Sequence, residues 1–293
     1  VNLTENGCQP GDSCIIAVLA DNSNDKNYPP GKPQYTLDFT YHGGIYRDVW
    51  MIAKSPVSIT YAVDADKLAG GGVFVHFDNI SEKSAQVYID TDVKNSSKQT
   101  RTVTVETTLT ETDGTIIKRV SNKLILSSGE SKPVTQQIIV KNPMLWSPDT
   151  PYLYRVESRI KDGKQSIDGG ITRIGIRKAE FRGKDGFWLN GKPSGQLVGT
   201  NRHQDFAYVG NAVQNSQQWR DAKRLRDAGC RVIRVAHYPM DPPFIDACDE
   251  LGMFVIVAPP GCHYRNQDPV FARLVPRNTR PMIRRHRTHH SVF

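Results

Sequence analysis

Two polar strings that follow apolar strands constrain this chain more than any other feature. The strings are Gly-Thr-Asn-Arg-His-Gln-Asp at 199–205 and Arg-Val-Ala-His-Tyr-Pro at 234–239, and a helix-like stretch at 216–228 separates them. In a (β/α) barrel, polar side chains at the ends of successive parallel strands build the active site. We therefore predict a functional rim of Arg and His side chains here, in preference to two histidines that are satisfied inside a core.

The same alternation continues toward the last residue. Apolar segments at 253–258 and 291–293 alternate with helical segments at 242–251 and 268–286. Strands that are apolar on both faces belong to a parallel sheet that is covered by helices. Residues 178–293 are thus predicted to form the first half of a TIM (β/α)8 barrel.

Residues 53–177 follow a different pattern, in which apolar and polar residues alternate with a period of two. The clearest cases are 57–63 and 102–109, and the dipeptides Asp113-Gly114 and Asp162-Gly163 are hairpin turn signals. Short strands at this spacing predict an immunoglobulin-like β-sandwich.

Residues 1–52 read as strands and loops, and they are too few for a complete sandwich. We predict that they form the end of one, with a short buried strand at 15–19 and a surface loop at 21–34. Cys8 and Cys14 flank a turn rich in Gly and Pro, so they could pair in a disulfide or remain as thiols.

The net charge of +8 comes mainly from arginines in the segment 272–290. Arg280, Arg284 and Arg287 recur at helical spacing, which predicts a solvated helix face. No aromatic residues interleave with these arginines, as a stacking platform for a single nucleic-acid strand requires. We predict no nucleic-acid partner, and no apolar run is long enough for a membrane span.

A metal or redox centre is a weaker hypothesis for the histidines of the C-terminal segment. His286, His289 and His290 could cluster at a helix end, with His263 as a further ligand, but no acid lies nearby in the sequence to orient them. We predict neither a metal nor a cofactor.

The two polar strings also resemble the start of the barrel in glycoside hydrolase family 2, the group of β-galactosidases, β-glucuronidases and β-mannosidases. The string Gly-Gly-Ile-Tyr-Arg-Asp-Val-Trp at 43–50 resembles the end of the family's first β-domain. Asn-Pro-Met-Leu-Trp-Ser-Pro-Asp-Thr-Pro-Tyr-Leu-Tyr at 142–154 resembles the late part of its second. The sequence of residues 199–261 is most similar to that of β-galactosidase-like members. The resemblance implies that residues 1–52 are the C-terminal part of a jelly-roll sugar-binding domain.

This resemblance implies a retaining β-galactosidase that uses a double-displacement mechanism. Such chemistry needs two carboxyl groups. The resemblance implies an acid/base glutamate just after the fourth barrel strand and a nucleophile glutamate much later in the barrel. The last glutamate of this sequence is Glu250, in a helix, so we expect a fragment that is truncated at both ends and whose catalytic glutamates lie beyond Phe293. The alternatives are a non-catalytic carbohydrate-binding or adhesion module, or another specificity such as β-glucuronidase or β-mannosidase.

The resemblance also implies roles for individual residues. Asp38, His203 and His237 match positions that contact sugar hydroxyls, and Arg234 matches an arginine that keeps the nucleophile ionised. Two weaker candidates for substrate contacts come from the first polar string, and they are Arg202 and Asp205. An Arg–Asp pair at a strand end could instead brace the loop.

Two stretches depart from the family pattern. Cys262 and Arg265 stand where relatives tend to have tryptophan, and 284–291 reads Arg-Arg-His-Arg-Thr-His-His-Ser instead of the usual Arg-Arg-Asp-Arg-Asn-His-Pro-Ser.

The predicted partner is a carbohydrate, and association into a homo-oligomer is a further possibility. By resemblance alone, a periplasmic or extracellular location is favoured over the cytoplasm.

Overall fold

A computed structural model describes residues 2–40, 42–68, 70–260 and 264–293 of the chain. The expectations for Cys262 and His263 therefore concern residues outside the described ranges. Within those ranges, no helix combines the length and the apolar character that crossing a bilayer requires.

Two antiparallel sheets make up the middle of the molecule. Their strands are β1 (Val57–Ile59), β2 (Val73–Asp78), β3 (Ser84–Asn95), β4 (Arg101–Thr110), β5 (Ile116–Leu126), β6 (Ser131–Lys141), β7 (Tyr154–Asp162) and β8 (Gln165–Ile174). In the first sheet β3 pairs with β1, β2 and β6, and the order of the second sheet is β5-β4-β7-β8. The predicted Asp-Gly turns are confirmed, because Gly114 and Gly163 connect β4 to β5 and β7 to β8 with positive φ angles of 92° and 60°.

The facing sides of these sheets supply a shared apolar core. Residues of β3 alternate between buried and partly exposed, as one face of a half-buried sheet requires. Ile89, Leu109 and Tyr154 are among the largest side chains with almost no exposed surface. Strands β2 and β8 were not predicted. Glycines and charged residues interrupt the apolar pattern of β8, and β2 is only 6 residues long.

A small antiparallel sheet links this unit to a parallel sheet with helices. Its strands are β9 (Ala179–Phe181), β10 (Phe187–Leu189) and β11 (Lys192–Pro193). The parallel sheet has the order β12-β13-β14, and its elements are β12 (Gly199–Arg202), α1 (Asn215–Asp227), β13 (Val232–Val235), α2 (Pro242–Leu251), β14 (Phe254–Val257) and α3 (Pro269–His286). Val292 continues the pattern, since it forms a parallel bridge to Val255.

Capping and packing explain where these helices lie. The Asp268 side chain accepts a hydrogen bond from the Val270 N–H at 2.7 Å and thereby caps the start of α3. Helices α1 and α2 cover one face of the sheet with a core that includes Ala222, Ile233 and Phe244. The Trp146 indole N–H donates to the Asp249 carbonyl at 2.9 Å and thereby ties the sandwich to α2.

The predicted solvated face of α3 is wrong for Arg284 and Arg287, whereas Arg280 is exposed as predicted. Arg284 is only 8% exposed and pairs with Asp66 at 2.6 Å. The Arg287 guanidinium donates to the carbonyls of Gly70 and Gly71 and lies over the Phe74 ring. These arginines dock the end of the helix on the sandwich, so helical spacing did not distinguish a solvated face from a contact face.

The predicted buried strand at 15–19 is also wrong. Ile15 and Leu19 are 99% and 95% exposed, and no strand occurs in the described residues before β1. An apolar run forms a strand only where a neighbouring strand accepts its backbone hydrogen bonds. No such partner faces this run in the described part of the chain.

Candidate active site

The register of the parallel sheet sorts the side chains of the first polar string onto two faces. Asn201 pairs with Arg234, and Arg234 pairs with Ile256, so these three side chains share one face. Their neighbours Arg202 and Val235 share the opposite face, which α1 and α2 cover. Arg234 therefore points away from the helices, toward the side that would be the barrel interior.

Arg202 does not reach the rim. Its guanidinium is 7% exposed and donates 2.8 Å hydrogen bonds to Gln218 and Asp221, both on α1. It also lies 4.1 Å from the centre of the Phe244 ring. Strand alternation explains this position, because a residue one step from Asn201 must face the helices. The arginine braces α1 and α2 against the sheet, and this position does not favour the predicted substrate contact.

His203 and His237 meet at the carboxyl ends of β12 and β13. Their ring centroids are 5.6 Å apart with an edge-on geometry, and the Tyr238 ring lies 6.0 Å from His203. The Nδ1 atom of His203 is buried without a hydrogen-bond partner among the described residues. Such a nitrogen is available to a polar ligand atom.

The segment that contains Asp38 reaches this pair of histidines. The Phe39 ring stacks on His203 with a centroid distance of 5.4 Å, and it lies 5.6 Å from His237. Asp38 is exposed and directly precedes Phe39, so its backbone lies about 3.8 Å from a residue that covers the rim. Positions separated by almost two hundred residues therefore meet at the ends of the barrel strands.

Arg47 fixes the second contact between the N-terminal segment and the rim. Its guanidinium donates to the Pro239 carbonyl at 2.6 Å and to the Gln204 side-chain oxygen at 3.3 Å. The Asp48 carboxylate accepts a 3.0 Å hydrogen bond from Asn215 at the start of α1. Both residues belong to the string at 43–50 that carried part of the family resemblance.

Gln204 is the structural residue that sequence reasoning missed. It is 1% exposed, and besides Arg47 its oxygen accepts the Asp241 N–H at 2.9 Å, while its amide donates to the Asn211 carbonyl. Nothing in the sequence sets this glutamine apart from its neighbours except its place between His203 and Asp205. A buried polar side chain with several partners holds the loops of a rim in one arrangement.

Two carboxylates stand close to this network. Asp205 is exposed at the rim, and burial raises the pKa of Tyr238 with a further contribution from the Asp205 charge. Burial raises the pKa of Asp241, whereas the Arg47 guanidinium opposes that rise. Asp205 is the rim carboxylate that solvent reaches, so it stays available to a ligand.

A cleft of about 960 Å³ adjoins the rim at Pro239. One side of α3 lines it, and the basic lining residues are Arg273, Arg277, Arg280 and Arg284. In the described part of the chain, Arg273, Arg277 and Arg280 make no hydrogen bond or ion pair, whereas Arg284 is held by Asp66. The cleft thus presents unpaired guanidinium groups, which suit a carboxylate, a sulfate or a phosphate.

One cluster among the described residues has the composition of a metal site. Ligand atoms of Asp246, Asp249 and His289 lie within 4.8 Å of one another. His289 Nδ1 is 2.8 Å from Asp249, Asp249 also accepts the Ser291 N–H at 2.6 Å, and Asp246 pairs with Arg173. The charges are therefore balanced by protein groups. The acid that orients His289 comes from α2, which corrects the expectation that no acid is near these histidines.

The histidines next to this cluster are buried and neutral. Burial lowers the pKa of His286 to about 3 and that of His290 to about 4. Burial also opposes charge on His289, but the hydrogen bond to Asp249 raises its pKa. Asp246 and Asp249 belong to α2, and His289 follows α3, so the hydrogen bond between His289 and Asp249 ties the end of α3 to α2 and supports the fold.

Comparison with known proteins identifies the class. Residues 72–177 match the model of glycosyl hydrolases family 2, and residues 181–292 match the TIM barrel domain of the same family. The chain belongs to glycosyl hydrolase family 2. Both the sandwich domain and the start of the TIM barrel domain of that family are therefore represented.

Relatives divide between two specificities. The chain is 31% identical to a β-galactosidase of Thermoanaerobacter pseudethanolicus over 95% of its own length and 35% of the relative's length. It is 30% identical to a β-glucuronidase of Formosa agariphila, covering 88% of this chain and 26% of that one. The structure of Bacteroides uniformis β-glucuronidase 2 superimposes with a TM-score of 0.84 at 32% identity, covering 94% of this chain and 32% of that protein. The chain spans about a quarter to a third of the length of these proteins.

Proposed function

We propose that this chain forms one side of the sugar pocket of a retaining β-glycosidase that hydrolyses terminal β-galactosides. The observation that carries the proposal is the convergence of Phe39, His203 and His237 at the ends of β12 and β13. Membership of glycosyl hydrolase family 2 supports the reaction class. The similarity to the Thermoanaerobacter β-galactosidase supports galactose as the sugar that is recognised.

The domain assignment is part of the same proposal. Residues 1–52 are the C-terminal part of a jelly-roll domain, 53–177 an immunoglobulin-like sandwich, and 178–293 the N-terminal half of a (β/α)8 barrel. Two packed antiparallel sheets support the second unit, and three parallel strands with the Val292 bridge support the third. The contacts of Arg47 with the rim support the role of the first unit as a wall of the pocket.

The proposal gives a role to each residue of the site. His203 and His237 recognise hydroxyl groups, because an imidazole donates from one nitrogen and accepts at the other. Asp38 accepts hydrogen bonds from sugar hydroxyls, and Asp205 is a second exposed acceptor at the rim. Arg234 has no hydrogen bond or ion pair within the described residues, so its charge is free to keep a nucleophilic carboxylate ionised.

The reaction requires two carboxyl groups about 5–5.5 Å apart, one to protonate the leaving oxygen and one to attack the anomeric carbon. In the proposal, both come from sequence outside residues 1–293. The attack forms a covalent glycosyl ester, and water then releases the sugar with the first carboxylate as base. Residues of this chain bind the sugar, and Arg234 keeps the nucleophilic carboxylate ionised.

A β-glucuronidase is the second candidate. In the cleft beside Pro239, the side chains of Arg273, Arg277 and Arg280 make no hydrogen bond or ion pair with the described residues. Guanidinium groups bind a carboxylate in bidentate fashion, which favours a sugar acid or a neighbouring acidic residue of a glycan. The similarity to the Formosa β-glucuronidase is consistent with this candidate.

The test compares two aryl substrates in two proteins. The longest protein that the gene encodes is assayed with an aryl β-galactoside and an aryl β-glucuronide, and NMR identifies the anomer that is released first. We expect galactoside hydrolysis with retention of the β configuration, and no turnover by residues 1–293 alone.

Each other outcome has a defined meaning. Preference for the glucuronide would favour the second candidate. Release of the α anomer first would contradict the double displacement, and no hydrolysis of either substrate would contradict both the β-galactosidase and the β-glucuronidase. Turnover by residues 1–293 alone would contradict the placement of both carboxylates outside them.

A further inference from the structure

Two thiols near the N-terminus lie in direct contact. The Sγ atoms of Cys8 and Cys14 are 2.6 Å apart, closer than two unbonded sulfur atoms rest against each other. Cys14 is exposed and Cys8 is partly exposed, so solvent and small solutes reach the pair. Neither thiol belongs to the proposed sugar site.

A network of backbone turns holds the segment between the two cysteines. The Gln9 N–H donates to the Asp12 carboxylate at 2.9 Å, and the Asp12 N–H donates back to the Gln9 carbonyl at 3.0 Å. Gly7 and Gly11 have φ angles of 90° and 96°, which other residues rarely adopt. The two thiols are thus brought together by the conformation of the loop itself.

The surroundings of the pair exclude two other roles for it. A catalytic thiol needs a cation that stabilises its thiolate. All charged side chains of residues 1–25 are acids, and Lys94, which approaches this segment, pairs with Glu5 at 3.9 Å. The contact with Cys14, and secondarily burial, raise the pKa of Cys8. Within the described residues, no third His, Cys, Asp or Glu ligand atom joins the two sulfurs at metal-binding distance.

We propose that Cys8 and Cys14 are oxidised to an intramolecular disulfide that closes the 8–14 loop. The oxidant is a small-molecule disulfide. The thiolate of Cys14, the more exposed residue, attacks one of its sulfurs, so that a mixed disulfide forms and one small thiol leaves. Cys8 then attacks the Cys14 sulfur and releases the second small thiol. In total, the protein loses two hydrogens and the oxidant is reduced to two thiols.

The other described cysteines do not compete for this bond. Cys248 is completely buried in the core under α2, and burial raises the pKa of its thiol. Cys230 is partly buried after α1 and packs against the same core. A disulfide at 8–14 would persist in an oxidising compartment and would be reduced in a cytosol rich in glutathione.

The experiment counts thiols in residues 1–293 after treatment with oxidised glutathione. The excess reagent is removed, the protein is denatured, and thiols are titrated before and after reduction. The chain has five cysteines, so we expect three thiols before reduction and five after it, since 5 − 2 = 3. Intact mass should be lower by two hydrogens, with no glutathione attached.

Variants identify the bonded residues. Cys8→Ser should leave Cys14 with a glutathione adduct that reduction removes, because the second attack is lost. The control Cys230→Ser should lower both thiol counts by one and leave their difference unchanged. Five thiols with unchanged mass, adducts on both Cys8 and Cys14, or a cross-link to another cysteine in the peptide map would each overturn the proposal.

Discussion

Arg202 and Arg234 belong to the same sheet, yet they face opposite sides of it. The register places Asn201 beside Arg234 and Arg202 beside Val235. The sequence shows that side chains alternate along each strand. Alternation alone did not assign the two arginines to opposite faces, because the exact ends of β12 cannot be predicted from the sequence. Residue identity alone could not do so, because a buried brace and a rim cation are both arginines.

The position of Arg202 predicts a loss of stability and not of sugar recognition. Arg202→Ala leaves the partly buried Asp221 and the buried Gln218 without their partner, so we expect the free energy of unfolding to fall by about 3–5 kcal/mol. The control Arg220→Ala, at an exposed position of α1, should change it by less than about 0.5 kcal/mol. Urea denaturation measures both. Equal stability of the two variants would mean that Arg202 is not a brace.

The buried histidines predict a pH dependence of stability. His286 has a pKa of about 3 in the fold, against an ordinary value of 6.5, and neither ring nitrogen has a partner among the described residues. Below pH 6.5 the unfolded chain binds a proton that the folded chain does not bind, so stability falls as the pH falls from 6.5 toward 3.

Replacing this histidine should weaken that dependence. From pH 6.5 to 5, one such group destabilises the wild type by about 2 kcal/mol, since each unit corresponds to about 1.36 kcal/mol. His286→Leu removes this contribution, so the variant should lose about 2 kcal/mol less over that range. Urea denaturation at both pH values measures the difference. Identical pH profiles for the two proteins would show that His286 is not buried as a neutral group.

The periodicity of the sequence predicts the helices and most strands, but it does not predict the conformation of the N-terminal segment. Helix α2 occupies the predicted residues 242–251, and β4 covers the alternating pattern at 102–109, because local patterns decide such elements. The run at 15–19 was wrong because a strand depends on a partner elsewhere in the chain. The docking of Arg47 on Gln204 depends on loops far apart in sequence, and no local pattern signals it.

This docking predicts where local protection will change. Arg47→Ala removes the hydrogen bonds to Pro239 and Gln204, so amide hydrogens of residues 43–50 that are protected by the docking should exchange faster. The sandwich strands should keep their protection. Arg155→Ala, at an exposed position of β7, is the control and should leave both regions unchanged. Unchanged exchange at 43–50 in Arg47→Ala would show that the contact does not hold the segment.

The parts of the chain differ in how far each can stand alone. Both apolar clusters of the sandwich draw only on residues 57–176. The parallel sheet shares Trp146 with the sandwich, through contacts to Phe254 and Leu189. The sandwich core is thus self-contained, whereas the core under the parallel sheet is completed by a residue of the other unit.

Separate expression tests this difference. Residues 53–177 should be monomeric and unfold cooperatively, whereas 178–293 should be insoluble, loosely packed or self-associated because its edge strands and apolar faces lack cover. Thermal unfolding and gel filtration measure both pieces. A cooperative transition of monomeric 178–293 would contradict the expectation.

The central claim is that the rim formed by Arg234, His203 and His237 serves glycoside hydrolysis. The most direct measurement is kcat/KM for an aryl β-galactoside in the longest protein that the gene encodes, as wild type, Arg234→Ala and Arg224→Ala. Arg224 is exposed on α1 and is the matched control. We predict that Arg234→Ala lowers kcat/KM by about 10²–10³-fold, since one electrostatic contact in an active site has this magnitude, and that Arg224→Ala leaves it unchanged. Equal kcat/KM in all three proteins, or no hydrolysis by the wild type, would contradict the claim.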